Sequence, residues 1–335
     1  MYERYYSLSA MPFQLTPDGR FYFGSQEHKK AMAFLQYGVA QQEGFIVVTG
    51  EIGAGKTTLV EHLLSTLDSA EHVAGRVVTT QLGGFDMLCM ISAAFGLNNE
   101  GLEKAALITQ VTQFFAELQA SGKRPLVIVD EAQSLSTEAI EELRMLSNLT
   151  TGGRALFQGI LLGQPEFRQT LASPHLTQFR QRVIASCHLS ALTAVEARQY
   201  IEYRLTKVGW ANDPRFSDDA FKEIYDHTGG IPRRINLLCS RLLLLGYLEE
   251  KHEIDAAAVA NVAEELASEL RPLSADRASE VLAQAPLPSG PIRTAQNGDA
   301  LLSRIAELES TAARQDWLMV RVLDLALKYF ARTER

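Results

Sequence analysis

The chain has 335 residues, of which 46% are hydrophobic and 21% charged, and this composition allows one large core together with a second, smaller domain. The formal net charge of -8 excludes a global basic field that would draw the chain onto nucleic acid or an anionic membrane, but it leaves a local basic patch open. No CxxC pair could hold a metal or carry redox chemistry, so we interpret the three cysteines as small core residues: Cys89, Cys187 and Cys239.

The amino-terminal residues predict no export signal. Residues 1–11 are polar and rich in tyrosine, and they lack the basic start and apolar stretch of a secretory signal. The most apolar run, residues 237–248, is interrupted by Arg241 and is shorter than the roughly 20 residues that span a bilayer, so we interpret it as a buried helix. We therefore expect a cytoplasmic protein without a transmembrane segment, or one that is peripheral to the inner membrane through a partner.

From residue 45 onward, short apolar runs alternate with amphipathic helical patterns, which is typical of a parallel sheet covered by helices on both faces. The predicted strands cover residues 45–48, 76–80, 125–129, 156–162 and 183–189. The predicted helices between them cover residues 56–67, 85–95, 104–120 and 137–149. These repeated βαβ units predict one doubly wound α/β domain over residues 1–192.

After residue 192 the strand pattern stops and a helical pattern replaces it. Helices are predicted over residues 194–208, 218–227, 233–250 and 256–270. Thr193 and Glu196 have the spacing of a capping box at the first of these starts. We predict an all-helical lid domain over residues 193–270.

The last part of the chain divides into two segments of different composition. Residues 271–300 are rich in Pro, Ser, Ala, Gly and Gln, which predicts a flexible linker. Residues 301–335 carry apolar side chains on a three-four repeat and predict an amphipathic C-terminal helix. Because a lone helix of this kind would leave an apolar stripe in water, we expect a coiled coil with another helix, with docking on the chain's own lid as the alternative.

The strongest motif follows the first predicted strand. Residues Gly50-Glu51-Ile52-Gly53-Ala54-Gly55-Lys56-Thr57 fit the pattern GxxxxGK followed by Ser or Thr, between a strand and a helix as a P-loop requires. The glycines let backbone N–H groups and the helix N-terminus face phosphates. Lys56 is then expected to reach the β and γ phosphates and Thr57 to bind Mg²⁺ through its hydroxyl. Thr58 either supports the phosphates or begins the helix.

A second motif lies at the end of the third predicted strand. The apolar run 126–129 is followed by Asp130 and Glu131, a Walker B pattern. Asp130 is expected to hold Mg²⁺ through water, and Glu131 to polarise the water that attacks the γ phosphate. The Asp-Glu ending favours ATP hydrolysis over phosphoryl transfer to a second substrate.

Polar residues at three further positions are predicted to sense or complete the site. Gln164 follows the fourth predicted strand, where a γ-phosphate sensor belongs, and a simple turn is its alternative interpretation. Arg182, just before the fifth strand, is the candidate arginine finger for a neighbouring subunit, with Arg180 as the alternative. Arg233, which begins a lid helix after two glycines, is the candidate second sensor, while Arg234 is expected to face lid acids.

Together with residues 12–17 (Pro-Phe-Gln-Leu-Thr-Pro), 162–166 (Leu-Gly-Gln-Pro-Glu) and 229–236 (Gly-Gly-Ile-Pro-Arg-Arg-Ile-Asn), these motifs closely resemble the ATPases of general secretion pathway protein A, the ExeA type, and most of all the subfamily linked to exosortase and PEP-CTERM loci. The resemblance covers residues 1–270. It implies an AAA+ fold, ATP with Mg²⁺, and association with envelope or exopolysaccharide export. It also implies that Pro12 and Phe13 lie over the adenine, with core packing as an equal alternative.

Members of that family often carry a membrane span and a peptidoglycan-binding domain after the ATPase, and residues 271–335 match neither. The first hypothesis is therefore a homo-oligomeric, ring-forming ATPase that acts as motor or regulator on a protein partner in secretion or polysaccharide export. A DNA-dependent AAA+ regulator of the transposition type is the alternative. A nucleotide switch that binds ATP without hydrolysing it is the third hypothesis, which Glu131 makes the weakest.

Overall fold

The computed structural model describes residues 2–16, 18–78 and 83–269, and all of them fall within one compact unit, Met1–Arg271. The predicted linker at 271–300 and the predicted coiled-coil helix at 301–335 lie outside the described residues, so both stay predictions. The helices are α1 (Tyr2–Tyr5), α2 (Gln26–Gln41), α3 (Lys56–Thr66), α4 (Gly84–Ala94), α5 (Lys104–Ala120), α6 (Thr137–Ser147), α7 (Glu166–Ala172), α8 (Thr177–Arg180), α9 (Ala194–Thr206), α10 (Asp218–Thr228), α11 (Pro232–Leu248) and α12 (Ala256–Glu269). The strands are β1 (Phe45–Gly50), β2 (His72–Val78), β3 (Arg124–Asp130), β4 (Thr150–Thr151), β5 (Arg154–Ala155), β6 (Gln158–Gly163), β7 (Val183–Leu189), β8 (Arg215–Phe216) and β9 (Glu253–Ile254).

The long strands form a parallel sheet in the order β2-β3-β6-β1-β7, which confirms the predicted α/β class. All residues of β1 and β6 are buried, because helices cover both faces of the sheet and leave no room for polar alternation. The start of β2 lies four residues before the predicted residue 76, since this edge strand is half exposed and lacks a continuous apolar run. The start of β6 lies at Gln158, because residues 154–155 pair instead with 150–151 in a short hairpin.

Two layers of helices enclose the sheet. On one face, α2 and α3 contribute Leu35 and Leu59 to a core with Val48 of β1. On the other face, α4, α5 and α6 pack over Val47 and the inner side of β3. Helix α2 was not predicted from the sequence, although Ser25 caps its first turn by accepting a hydrogen bond from the His28 N–H.

The helical domain after residue 192 agrees with its predicted elements. The capping box at the start of α9 is confirmed, since the Glu196 N–H donates to Thr193 Oγ1 and the Thr193 N–H donates to Glu196 Oε2 at 3.0 Å. The apolar run at 237–248 forms the carboxyl-terminal part of α11, with one face buried in the helical core and Arg241 and Leu248 exposed. Within the described ranges, no helix combines the length and apolar character needed to cross a membrane. One addition was not predicted, the short parallel pair of β8 and β9.

The amino-terminal segment packs against the helical domain, although the sequence analysis assigned it to the sheet domain. Tyr2, Tyr6, Phe13 and Phe21 are all buried in the core built by α9 to α12. Aromatic side chains of this size stabilise whichever core they join, and the helical domain needs them because it is small. The amino-terminal segment therefore connects the core of the helices after residue 192 with the start of α2.

The three cysteines are free thiols, and the predicted core position holds for Cys239, while Cys89 and Cys187 are only partly buried. Cys239 is fully buried in the helical core, while Cys187 on β7 is partly buried. Burial raises the pKa of the Cys187 thiol to about 11, so this thiol stays protonated and unreactive at neutral pH.

Candidate nucleotide-binding site

The loop between β1 and α3 has the geometry of a phosphate cradle. Gly53 and Gly55 have φ angles of 84° and 99°, which L side chains rarely adopt, so glycine is needed at both positions. Lys56 is buried, and its Nζ donates to the carbonyl oxygens of Gly50 at 2.7 Å and Glu51 at 3.0 Å. The lysine therefore lies across the loop that the glycines shape.

The environment of Lys56 is partly apolar and partly acidic. Burial lowers the pKa of the ammonium group, and the nearby carboxylates of Glu131 and Asp130 oppose that shift. A cation held in this way gains a strong interaction with any anion that enters the cleft, because the solvent around it is limited.

Asp130 ends β3 next to the glycine-rich loop. Its Oδ2 accepts a hydrogen bond from Thr57 Oγ1 at 3.0 Å, so the two predicted magnesium ligands are in contact. The same oxygen accepts Arg76 Nη2 at 2.7 Å, and Oδ1 accepts the backbone N–H of Glu131 at 3.0 Å. Arg76 was not predicted as part of the site, because its place depends on the pairing of β2 with β3, where Val78 lies opposite Asp130.

Glu131 follows in a left-handed conformation, with φ 54° and ψ 41°. A non-glycine residue in this region is uncommon and often marks a functional position. Its Oε2 accepts hydrogen bonds from Gln133 Nε2 and, at 3.3 Å, from Gln164 Nε2. The backbone N–H of Gln164 donates to Gln133 Oε1 at 2.9 Å. The predicted base and the predicted sensor therefore touch, and Gln133, which the sequence analysis missed, joins them.

The helical domain contacts the same loop through the start of α11. The backbone N–H of Arg233 donates to the Gly53 carbonyl at 3.2 Å, and an added Cβ at Gly53 would lie 2.4 Å from Arg233 Cβ. Pro232 occupies the first turn of the helix, where its missing N–H costs nothing. Arg234 is exposed and has no ion pair with any residue that the structure describes, so the expected contact with lid acids is absent from those residues.

His28 supports the glycine-rich loop from α2 and was also missed. It is buried, its Nε2 lies 3.2 Å from the Ala54 carbonyl oxygen, and its Nδ1 lies 2.8 Å from Ser25 Oγ. Burial lowers the pKa of the imidazole, against the opposing effect of the Ala54 carbonyl and of Glu196 and Glu27. The capping position of Ser25 could have indicated the helix, but not the contact of its first turn with the loop.

These residues surround a cleft of about 370 Å³ between the sheet and the helical domain. The phosphate cradle and the acidic pair line one part of it, and side chains of the amino-terminal segment and of α9 and α11 line the other. Thr58 and Arg233 are among the lining residues.

Pro12 and Phe13 are located behind the cleft rather than along it. Phe13 is 1% exposed and packs in the helical core, and the Pro12 carbonyl accepts a hydrogen bond from Arg204 Nε at 2.5 Å. The packing alternative therefore describes Phe13, which does not line the cleft. The residues that follow, 14–16, do line the cleft.

Arg180 and Arg182, the candidate arginine fingers, lie near the amino-terminal ends of the strands, at the end of the sheet opposite the glycine-rich loop. The Arg182 carbonyl accepts the Phe45 N–H at 2.8 Å, at the amino end of β1. Since β1 has six residues, this edge is about 17 Å from the glycine-rich loop. The Arg182 guanidinium donates to the Ser147 carbonyl and to Asn148, and that of Arg180 donates to the Leu171 carbonyl at 3.0 Å. Neither arginine lines the cleft of its own chain.

Comparison with known proteins defines the class to which this site belongs. Residues 39–171 match the family model described as "AAA domain". The ORC2 protein of Aeropyrum pernix in its ADPNP-ADP complexes aligns with a TM-score of 0.57 at 15% identity, covering 72% of this chain and 68% of that one. Cdc6p of Pyrobaculum aerophilum aligns with a TM-score of 0.56 at 15% identity, covering 85% and 74%. Identities this low show the fold alone. The chain therefore carries an AAA domain with the fold and nucleotide site of a P-loop ATPase.

One curated relative is more similar in sequence than these solved structures are. General secretion pathway protein A of Aeromonas hydrophila is 36% identical over 257 residues, which is 76% of this chain and 46% of the relative. This identity agrees with the resemblance of the motifs to general secretion pathway protein A. The chain spans less than half the length of that relative, so the whole relative's role does not transfer directly.

Proposed function

We propose that this protein binds Mg-ATP in the cleft, hydrolyses it to ADP and phosphate, and uses the cycle in a secretion or export system. The observation that carries the proposal is the convergence of Lys56, of Thr57 with Asp130, and of Glu131 on one cleft, with Gln164 hydrogen-bonded to Glu131. Each of these groups has a distinct chemical task in splitting a nucleoside triphosphate.

The glycine-rich loop would hold the phosphates. Backbone N–H groups of residues 51–58 and the N-terminus of α3 favour negative charge. Lys56 exchanges the carbonyl oxygens of Gly50 and Glu51 for oxygens of the β and γ phosphates, which are stronger partners because they are charged. The hydroxyl of Thr58, which also lines the cleft, can support the phosphates at the helix start.

Thr57 and Asp130 fit a magnesium ion. Both offer oxygen atoms, the ligands that Mg²⁺ prefers, and the ion usually takes only one or two protein groups besides phosphates and water. When bound, the ion polarises the phosphate oxygens. Asp130 keeps its carboxylate oriented toward Thr57 through the backbone N–H of Glu131 and through Arg76.

Glu131 would act as the general base. Its carboxylate takes the proton of a water molecule that attacks the γ phosphate, and hydrogen bonds from Gln133 and Gln164 hold the carboxylate in one orientation. Gln164 thereby reports the state of the γ phosphate to β6. Arg233, whose backbone N–H bonds the loop, is the lid cation that adds positive charge near the phosphates.

Arg182 would serve the site of a neighbouring copy. Because it lies at the far edge of the sheet, it reaches a γ phosphate only in trans, and this requires a homo-oligomer such as a ring. Arg180 stays the alternative, but its guanidinium is engaged with the carbonyls of Leu171 and Ser173.

Mixing two inactive variants tests hydrolysis and the trans arrangement together. Lys56→Ala loses its own site but keeps Arg182, while Arg182→Ala keeps its site and loses the finger. We expect each variant alone to release phosphate about 100-fold more slowly than the parent, and an equimolar mixture to recover about a tenth of the parental rate. Arg180→Ala, the matched control, is expected to stay active. A parent that releases no phosphate at any concentration rejects hydrolysis, whereas an active parent whose variants never complement rejects the trans finger.

The cellular role is proposed from the relative, whose name assigns it to a general secretion pathway. We propose a cytoplasmic ATPase that acts through a protein partner at the inner membrane, and we propose exosortase-linked exopolysaccharide export as the system it serves. Replacing Lys56 by Ala in the chromosome of the native host tests this assignment. We expect secreted exopolysaccharide to fall while the level of the protein is unchanged. Unchanged export with a confirmed ATPase defect contradicts it.

The DNA-dependent alternative has less support. The fold neighbours include the Drosophila ORC bound to DNA, with a TM-score of 0.56, but the identity is 14%, so the likeness concerns the fold alone. The net charge of -8 also offers no general attraction to phosphate backbones. A gel shift on duplex DNA that depends on ATP and weakens with salt would favour this alternative.

A further inference from the structure

The part of the cleft beyond the phosphate cradle has the composition of a base-binding pocket. Phe21, Leu15 and Leu192 provide apolar walls, while Tyr200 and Asn236 add polar atoms from two helices. Pockets for planar heteroaromatic ligands combine large apolar surface with a few fixed polar groups in this way. The donors and acceptors that these polar atoms offer determine which base the pocket can bind.

A chain of hydrogen bonds fixes the orientation of the Asn236 carboxamide. Arg204 Nη1 donates to the Tyr200 hydroxyl at 2.7 Å, so that hydroxyl turns its own proton toward Asn236 Oδ1 at 2.9 Å. Arg204 is itself held by the Pro12 carbonyl and lies over the Phe21 ring at 4.5 Å. The oxygen of the carboxamide therefore faces Tyr200, and its nitrogen faces away.

The Asn236 side chain keeps hydrogen-bonding capacity for a ligand. Asn236 is 7% exposed, and its Nδ2 has no hydrogen bond to any other residue that the structure describes. Among those residues, no fully buried side-chain nitrogen or oxygen lacks a partner, so Nδ2 has access to the cleft that Asn236 lines. Oδ1 has two lone pairs and uses one for Tyr200. A donor and an acceptor thus stand side by side on a planar group.

Asn236 also lies beyond the phosphate loop, in the part of the cleft where a base would bind. It follows Arg233 by three residues on α11, so both side chains share one face of that helix. The backbone of Arg233 contacts the phosphate loop at Gly53. One turn further along the helix, Asn236 is displaced from the phosphates toward the aromatic part of the pocket.

We propose that Asn236 selects adenine over guanine, with Tyr200 and Arg204 as the residues that position it. A carboxamide pairs with adenine by accepting from the exocyclic amine and donating to the adjacent ring nitrogen. Guanine presents two acceptors, O6 and N7, along that edge, so Oδ1 would face an acceptor. This inference rests on the proposed function, because it assigns a specificity to the nucleotide site of that function.

Equilibrium titration of the full chain with ADP and GDP tests the proposal without hydrolysis. We expect the parent to prefer ADP, and Asn236→Leu to lose about 10-fold in ADP affinity with little change for GDP. Tyr200→Phe removes only the hydroxyl that orients Oδ1 and is expected to lose about 3-fold for ADP alone. Tyr203→Phe, three residues along the same helix and outside the cleft lining, is the matched control and is expected to match the parent.

The possible outcomes distinguish a failure of the proposed function from a failure of the role assigned to Asn236. A parent that binds neither nucleotide rejects the proposed function itself. A parent that binds ADP while both variants keep its ADP-to-GDP ratio rejects the role of Asn236. An equal loss for ADP and GDP also rejects it, because that result assigns the side chain to the ribose or to the fold. If Asn236→Leu fails to fold, as seen by circular dichroism, the ratio measured for Tyr200→Phe decides alone.

Discussion

The two walls of the nucleotide cleft differ in chemistry. The sheet wall carries charged groups, Lys56 at the start of α3 and Asp130 and Glu131 at the end of β3, each with hydrogen-bond partners nearby. The helical wall carries aromatic rings and a chain of hydrogen bonds from Arg204 through Tyr200 to Asn236, with Arg233 beside the glycine-rich loop. We propose that the sheet wall performs the chemistry and that the helical wall recognises the nucleoside.

The largest expected effect lies on the sheet wall. Glu131→Gln keeps the shape of the side chain but removes the base, so we expect phosphate release to fall about 1000-fold while ATP affinity changes little. Steady-state phosphate release and nucleotide titration on the same preparation measure both quantities. Glu138→Gln, on the exposed start of α6, is the matched control and should behave as the parent. Undiminished turnover in Glu131→Gln would show that another group activates the water.

A smaller effect is expected for Phe13, which is buried behind the helical wall of the cleft. Phe13→Ala removes a fully buried ring from the helical core, so we expect the free energy of unfolding to fall by about 3 kcal/mol. Because Phe13 does not line the cleft, ADP affinity of the folded variant should change less than about 3-fold.

Phe23→Ala provides the matched comparison for that prediction. Phe23 lines the cleft and packs on Tyr200 and Tyr203, so its loss should weaken ADP binding more and stability less. Urea unfolding and ADP titration on both variants give the two numbers. The packing role of Phe13 would be contradicted if its variant kept full stability and lost affinity instead.

The sheet wall could be predicted from the sequence because its residues fall at fixed distances along the chain. A glycine-rich loop must lie between a strand and a helix, and an acidic pair must end a buried strand, so Lys56 and Asp130 follow from local pattern. Because β1 and β3 are parallel, their carboxyl ends lie at the same end of the sheet, and this brings Lys56 and Asp130 together. Gln164 follows from the same rule, since β6 lies between β1 and β3.

The helical wall and the supporting contacts could not be predicted, because they join residues far apart in sequence. The contact of Arg204 with Pro12 joins residues 192 positions apart, and nothing local to either residue indicates it. Phe13 could equally have packed in a core or over a base, and only the tertiary structure distinguishes these places. Helix α2 was missed for a different reason: its buried face includes His28 and Gly38, while Phe34 and Tyr37 are exposed.

The smallest expected effect concerns the support of the phosphate loop by His28. Its pKa is lowered by burial from the ordinary value of 6.5, so the unfolded chain binds this proton at a higher pH than the folded protein does. Stability contributed by the neutral imidazole is therefore complete above pH 6.5 and is lost as the pH falls from 6.5 through the folded pKa, with a slope of at most about 1.4 kcal/mol per pH unit. In His28→Gln, which keeps an amide near the Ala54 carbonyl, this slope should disappear. Urea unfolding of both proteins from pH 5 to 7.5 measures the difference, and parallel stability curves would show that His28 titrates alike in the folded and unfolded chains.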